Sequence, residues 1–233
     1  MKKHTIKSLI FSSFVTRSLV ILFLITGIFS GLKYLNDKQN ENKIAELENL
    51  LQNMQSAIQV DSIRQYQIHK IIAIIDQFNT EMPNHQKYEI AEEIVRMANK
   101  YSNLNVDLIC ATITHESAAT WDPEVMSPVG AKGLMQIMPT TGMFVAAYEN
   151  ISWTSTDEVL YNPIYNIRIG SRYLSSLIEI YDVDGGLAAY NGGERRAALW
   201  LDSGKKHGIL ARETQEYVPA IQRLYEEYQD FRI

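Results

Sequence analysis

Between Ser18 and Leu32 the sequence SLVILFLITGIFSGL carries no charge, and the preceding segment, Met1 to Arg17, holds Lys2, Lys3, Lys7 and Arg17 without a single acid. An uncharged run of about 15 residues falls short of the ~20 that cross a bilayer squarely and sits at the upper limit for the apolar core of a signal peptide. Flanking residues decide between these readings. Tyr34 and Leu35 extend the apolar helix while Lys33 can snorkel to the interface, and a clear small-x-small cleavage site is missing. The segment therefore reads as an uncleaved anchor rather than a cleaved signal. Basic residues concentrated before the span put the N-terminus in the cytoplasm and everything after Lys33 outside it. With no cysteine near the segment, a lipid anchor on an N-terminal Cys is excluded.

From Asn36 the chain turns polar, with Ile44, Leu47, Leu51, Met54 and Ile58 spaced by three and four residues. This is a heptad seam, which marks residues 36–84 as a helical stalk and a candidate for self-association as a coiled coil. The seam lasts barely two heptads before Asp61 takes the next position, so a solvated spacer helix is the competing reading. A second periodic run, Ile68, Ile71, Ile72, Ile75 and Phe78, leads to Met82-Pro83-Asn84, where proline should stop the helix and the domain boundary is expected.

Residues 85–233 read as one mainly α domain. Ile90, Ile94, Met97 and Tyr101 form one apolar face; Asn105 is a candidate N-cap for a helix carrying Val106, Ile109, Cys110 and Ile113. Asn162-Pro163 opens a further helix, and Thr214 to Phe231 supplies the last, with Tyr217, Ile221, Leu224 and Tyr228 on one side. No alternating run demands a sheet. A net charge of −5 offers no basic field for nucleic acid. The lone Cys110 excludes an internal disulfide framework and reads as a small buried side chain.

Glu116 lies near the end of the apolar stretch LICATITHES. A carboxyl in such surroundings resists ionisation and can hold a proton near neutral pH, which makes Glu116 a candidate general acid; from position alone, a solvated helix-end glutamate fits as well. His115-Glu116 invites comparison with the zinc pattern H-E-x-x-H, but position 119 is Ala119 and the remaining histidines show no ligand spacing, so no metal is expected. Ser117 lacks the G-x-S-x-G context of a serine nucleophile.

Four segments change the weight of Glu116. HESAATWDPEVMSPVGAKGLMQIMPTTG (115–142), NPIYNIRIGSRYL (162–174), LAAYNGG (187–193) and ETQEYV (213–218) occur in this order. Together, over about Glu89 to Tyr228, they resemble the lytic transglycosylase domain of the soluble lytic transglycosylase family, a goose-type-lysozyme-like fold acting on peptidoglycan. The resemblance implies a mainly α, lysozyme-like domain behind the membrane helix and stalk. It makes Glu116 the catalytic acid and base, and places Ser117, its helix neighbour, among the substrate-binding residues. Ser127 of S-P-V-G and Gln136 of G-L-M-Q fall on positions that bind sugar, and Met135 and Met138 on positions flanking the groove, a core role fitting Met135 equally well. Tyr190 and Asn191 of A-Y-N match a pair beside the catalytic carboxyl. Glu213 of E-T-x-x-Y-V matches a buried acid that supports the site, while Tyr217 reads as core. By the same resemblance no cofactor is needed and the partner is the glycan strand of peptidoglycan; through the N-terminal helix the second partner is the bacterial inner membrane, with the catalytic domain in the periplasm.

One departure stands out. The family pattern E-S-x-aromatic-x-P is two residues longer here, as Glu116-Ser117 is followed by Ala118, Ala119, Thr120, Trp121, Asp122 and Pro123. Trp121 then either packs beneath the loop or forms a cleft wall. The resemblance implies a one-carboxyl reaction in which the C6 hydroxyl of N-acetylmuramic acid closes a 1,6-anhydro ring. Two alternatives follow from the same residues: hydrolysis, with Asp122 or Glu124 positioning water, and a tethered scaffold whose cleft only grips glycan.

Overall fold

The computed structural model describes the backbone of residues 2–233 and the side chains of residues 15–233, so the charges of Lys2, Lys3 and Lys7 lie outside the described side chains. Helices account for nearly all regular structure: α1 (Lys2–Phe78), α2 (Asn84–Lys100), α3 (Val106–Glu116), α4 (Pro139–Ala146), α5 (Thr156–Leu160), α6 (Pro163–Gly192), α7 (Glu194–Asp202) and α8 (Arg212–Asp230), with a 3₁₀ turn at Ala147–Glu149. Among the described residues the β contribution is limited to two isolated bridges around Lys132.

The chain divides into two units, Met1–Asp61 and Ser62–Ile233. In the first, α1 is long and apolar enough to cross a membrane, a property a signal sequence shares. Farther along, Ile44, Leu47, Leu51, Met54 and Ile58 are all exposed.

The second unit begins inside α1. Ile68, Ile71, Ile74 and Ile75 are fully buried in its core, so this run, grouped with the stalk in the sequence, contributes to the domain. The helix ends at Phe78, before the proline expected to stop it. Asn79 Oδ1 accepts from the Met82 N–H at 3.0 Å and closes a turn, leaving Pro83 to lead into α2. The other helix starts follow their capping residues. Asn105 accepts from the Leu108 N–H at 2.9 Å, and Asn162 accepts from Ile164 and Tyr165 at 3.0 and 3.1 Å with Pro163 in the first turn.

Every residue from Val106 to Thr114 except Asp107 is buried, which makes α3 the enclosed centre of the domain. It packs against α8 and α2, while α6 packs against α7, α8, α2 and α4. Asp182 (φ +58°, ψ −179°) breaks α6 into two helical segments, and the second carries Tyr190 and Asn191.

Asn166 of α6 pins the loop between α3 and α4. Asn166 is fully buried; it donates to the carbonyls of Lys132 and Leu160 and accepts from the Met135 N–H, at 2.8–2.9 Å. Gly133 lies against the same amide at φ +78°, where a Cβ would stand 2.3 Å from Asn166 Nδ2 and from the Leu160 carbonyl oxygen. Asn166→Ala leaves the buried Met135 N–H and the Leu160 carbonyl without this partner, while the Lys132 carbonyl keeps the Ile137 N–H at 3.0 Å. It is expected to cost about 2–4 kcal/mol and to lower the thermal midpoint by roughly 5–10 °C, read by circular dichroism; an unchanged midpoint would show that the loop is held elsewhere.

Candidate active site

Glu116 is the last residue of α3. The core that surrounds α3 on all sides therefore delivers one carboxyl to the helix end, where it is half-buried but densely surrounded. Burial raises its pKa to about 7; the Tyr217 hydroxyl, donating to Oε1 at 2.7 Å, pulls the other way, and the negative charge of Glu213 adds to the rise. The carbonyl end of a helix disfavours an anion as well. The result is a carboxyl that can both give up and recover a proton near neutral pH.

Tyr217, which the sequence pattern assigned to the core, is buried to 1% exposure, yet its hydroxyl reaches the site. Its ring meets His115 edge-on at 4.8 Å between centroids. Burial lowers the pKa of His115, with the Glu213 charge opposing. Tyr190 stands close enough that the Glu116 charge, after burial, helps keep its phenol protonated. The Tyr190 hydroxyl donates to the Met135 carbonyl at 2.7 Å and ties α6 to the loop carrying Gln136. Asn191 accepts from the Thr214 hydroxyl at 2.8 Å and keeps its amide N–H groups for other partners. This junction with α8 is tight, since a Cβ on Gly192 would stand 2.7 Å from the Thr214 oxygen.

Several expected roles change. Ser117 is fully buried, its hydroxyl accepting from the Trp121 N–H at 3.1 Å, so it shapes the loop instead of meeting a substrate. Met135 is also fully buried and belongs to the core; its part in the site is the carbonyl that receives Tyr190. Glu213, expected as a buried acid, is exposed in the first turn of α8 and acts on Glu116 through its charge. Met138 is exposed at the start of α4. Ser127 and Gln136 are partly accessible. The Ser127 hydroxyl accepts from the Ala131 N–H, and the Gln136 amide donates to the carbonyls of Val125 and Gly133 while its backbone holds φ +46°. Asn166, the pin of this loop, lies in the segment NPIYNIRIGSRYL, where the sequence alone carries no sign of this role.

The longer loop after Glu116 folds inward. Trp121 is fully buried, donating from Nε1 to the Thr114 hydroxyl at 3.0 Å, which in turn bonds to Tyr228. Ala118, Ala119 and Trp121 all have φ of 50–58°, a conformation that costs energy in residues with a Cβ and is held by the buried indole. Asp122 and Glu124 are exposed, with the Asp122 carboxylate accepting from the Glu124 N–H at 2.9 Å. Among the described residues, no group of three His, Cys, Asp or Glu side chains is placed to hold a metal ion.

Residues 93–211 match the model of the family described as the Transglycosylase SLT domain. The soluble lytic murein transglycosylase of Escherichia coli is 41% identical over 93 residues, which is 39% of this chain and 14% of that protein. A putative soluble lytic murein transglycosylase of Haemophilus influenzae is 32% identical over 137 residues, 54% of this chain and 22% of its own length. Among solved structures, an inactive mutant of the lytic transglycosylase Slt from Pseudomonas aeruginosa superimposes with a TM-score of 0.52 at 29% identity, covering 64% of this chain and 24% of that one. The chain thus spans less than a quarter of the length of these relatives.

The raised pKa has a consequence for stability. The folded state holds the Glu116 proton more tightly than the unfolded chain, whose glutamate titrates near 4.5, so the contribution is complete below that pH and is lost as pH rises through about 7. Glu116→Gln should therefore be more stable than the parent at pH 8, by ~3–6 °C in thermal midpoint, with the difference vanishing at pH 4. Tyr217→Phe removes the hydrogen bond that favours the anion and should move the carboxyl titration, followed by carbon NMR, to still higher pH. A titration near pH 4.5 would refute the assignment.

Proposed function

The chain belongs to the SLT transglycosylase family, and from that membership we propose that it is a peptidoglycan lytic transglycosylase in which Glu116 serves as the sole acid and base. The observation that carries this reading is a carboxyl poised near neutral pH at the end of an enclosed helix, with a phenol hydrogen-bonded to it. The inactive form of Pseudomonas aeruginosa Slt is a Glu-to-Gln mutant, which supports a glutamic acid at the centre of the chemistry.

Protonated Glu116 donates to the glycosidic oxygen between N-acetylmuramic acid and N-acetylglucosamine. The C1–O bond breaks, N-acetylglucosamine leaves with a free C4 hydroxyl, and positive charge develops at C1. The carboxylate, stabilised by the Tyr217 hydroxyl, then removes the proton from the C6 hydroxyl of the same muramic acid, whose oxygen bonds to C1. One proton is given and one recovered, so the acid is regenerated. No water is consumed, and intramolecular attack needs no second carboxylate to hold one. Gln136 and Asn191 supply amide groups, and Ser127 a hydroxyl, suited to N-acetylated sugars.

The apolar part of α1 serves in this reading as a single-pass inner-membrane anchor, with the catalytic unit in the periplasm. The exposed seam Ile44, Leu47, Leu51, Met54 and Ile58 pairs with that of a second copy. Ile44 and Ile58 at the first heptad position and Leu47 at the fourth suit a parallel pair, with Leu51 and Met54 completing the seam, and Lys43 and Glu48, five residues apart, flank it where opposite charges of two parallel helices meet.

Glu116→Gln is expected to lower release of soluble fragments from purified sacculi by about 10²–10⁴-fold, the usual worth of general acid–base catalysis, while binding to sacculi persists. Parent-level release would relocate the acid. For the stalk, Leu47→Cys in membranes should give an oxidised dimer on non-reducing gels and Asn49→Cys, on the opposite face, should not; native Cys110 is buried. Equal cross-linking at both positions would argue against a defined seam.

A further inference from the structure

The reaction cycle leaves His115 unused, although it stands next to Glu116 in the chain. It lies half-buried in the last turn of α3, and its ring meets Tyr217 of α8 edge-on, at 4.8 Å between centroids and 78° between planes. The following residue, Glu116, accepts from the hydroxyl of the same tyrosine at 2.7 Å. Successive side chains of a helix point about 100° apart. Two neighbouring residues therefore hold one phenol from different directions, His115 at the ring and Glu116 at the oxygen.

The start of α8 depends on contacts of this kind. Ala211 occupies its N-cap and has no side-chain oxygen for the first N–H groups, and Arg212 and Glu213 in the first turn are exposed. Docking comes from residues farther along: the Thr214 hydroxyl donates to Asn191 at 2.8 Å, and Tyr217 reaches α3. The hydrogen bond to Glu116 is strong when the carboxyl is ionised and weaker when it is protonated. A ring contact is indifferent to that charge, so it holds the phenol in the state where the hydrogen bond holds it least. Burial favours the neutral form of His115, with the Glu213 charge opposing, and a neutral ring adds no cation beside the carboxyl.

We infer that His115 is a positioning residue, whose ring keeps the Tyr217 phenol at Glu116 while the carboxyl is protonated, so that the hydroxyl is in place when the anion forms. An aliphatic side chain would fill the space without the edge-on geometry. Two other titratable groups face this point: Glu213 of α8, whose charge acts on both His115 and Glu116, and Tyr190 of α6, which senses the Glu116 charge. The inference rests on the proposed role of Glu116, but the placement of the phenol is also read without turnover.

The test uses the full chain in detergent, with two readouts: release of fragments at saturating sacculi and the Glu116 titration followed by carbon NMR. His115→Leu should lower release by roughly three- to tenfold, the worth of an aromatic pair, and move the titration to higher pH, the direction expected for Tyr217→Phe. His115→Gln, which removes the ring but keeps a polar side chain, should act in the same way, and His115→Phe should recover most of both effects. In a Tyr217→Phe background, where there is no hydroxyl left to place, His115→Leu should change neither readout. Equal losses in His115→Leu and His115→Phe would overturn the inference, as would an unmoved titration in His115→Leu and His115→Gln, or an undiminished effect of His115→Leu in the Tyr217→Phe background. Matching thermal midpoints check that the variants fold. A parent chain that releases nothing from sacculi would defeat the catalytic reading, and the titrations would still decide whether His115 places the phenol.

Discussion

The rest of the site depends on the contact between Glu116 and Tyr217. It joins the end of the most enclosed helix, α3, to α8, and it sets a compromise. Burial makes the carboxyl reluctant to ionise, while the phenol stabilises the anion, and the two together place the titration at about 7. Without burial the acid would be spent at neutral pH. Without the phenol the anion would be harder to reach, and the carboxylate would be a poorer base for the second half of the proposed cycle. Glu213, exposed on α8, raises the pKa through space, so α8 contributes both opposing influences four residues apart, on one face of the helix.

Polar side chains buried with their hydrogen bonds satisfied hold the opposing wall. Asn166 fixes the Lys132–Met135 backbone against α6, and Tyr190 grips the Met135 carbonyl from the far segment of the same helix. Between these two anchors Gln136 can sustain a left-handed backbone. Ser117, Thr114 and Trp121 form a comparable set under the extended loop. In both cases a backbone segment with positive φ is held by a buried, paired network. Such networks rigidify when complete and cost most when one member is removed.

The sequence disclosed the helices wherever a single residue type has a single physical use. Asn105 and Asn162 cap as their spacing requires, and the apolar period of α3 pointed to an enclosed helix. It singled out Glu116 as a candidate through its place at the end of an apolar stretch and, with more weight, through the order of four segments. Periodicity failed where a side chain has two ends. The Tyr217 ring obeys the core pattern while its hydroxyl serves the site, and Met135 contributes a backbone carbonyl that no side-chain pattern can reveal. Ser117 and Glu213 exchanged their expected environments, because accessibility at the end of α3 and the start of α8 depends on how the loops close. Asn166 was hidden for a similar reason: an asparagine inside an apolar helical run signals a buried polar role, but its partners lie on a loop 31–34 residues earlier.

The central claim, a single carboxyl working without water, is tested most directly by the product. Sacculi digested by the full chain in heavy-oxygen water, followed by mass analysis of the soluble muropeptides, should yield 1,6-anhydro-N-acetylmuramic acid ends with no incorporated label. Reducing ends carrying the heavy oxygen as the main product would contradict the account and transfer a catalytic role to a water-holding carboxylate such as Asp122 or Glu124.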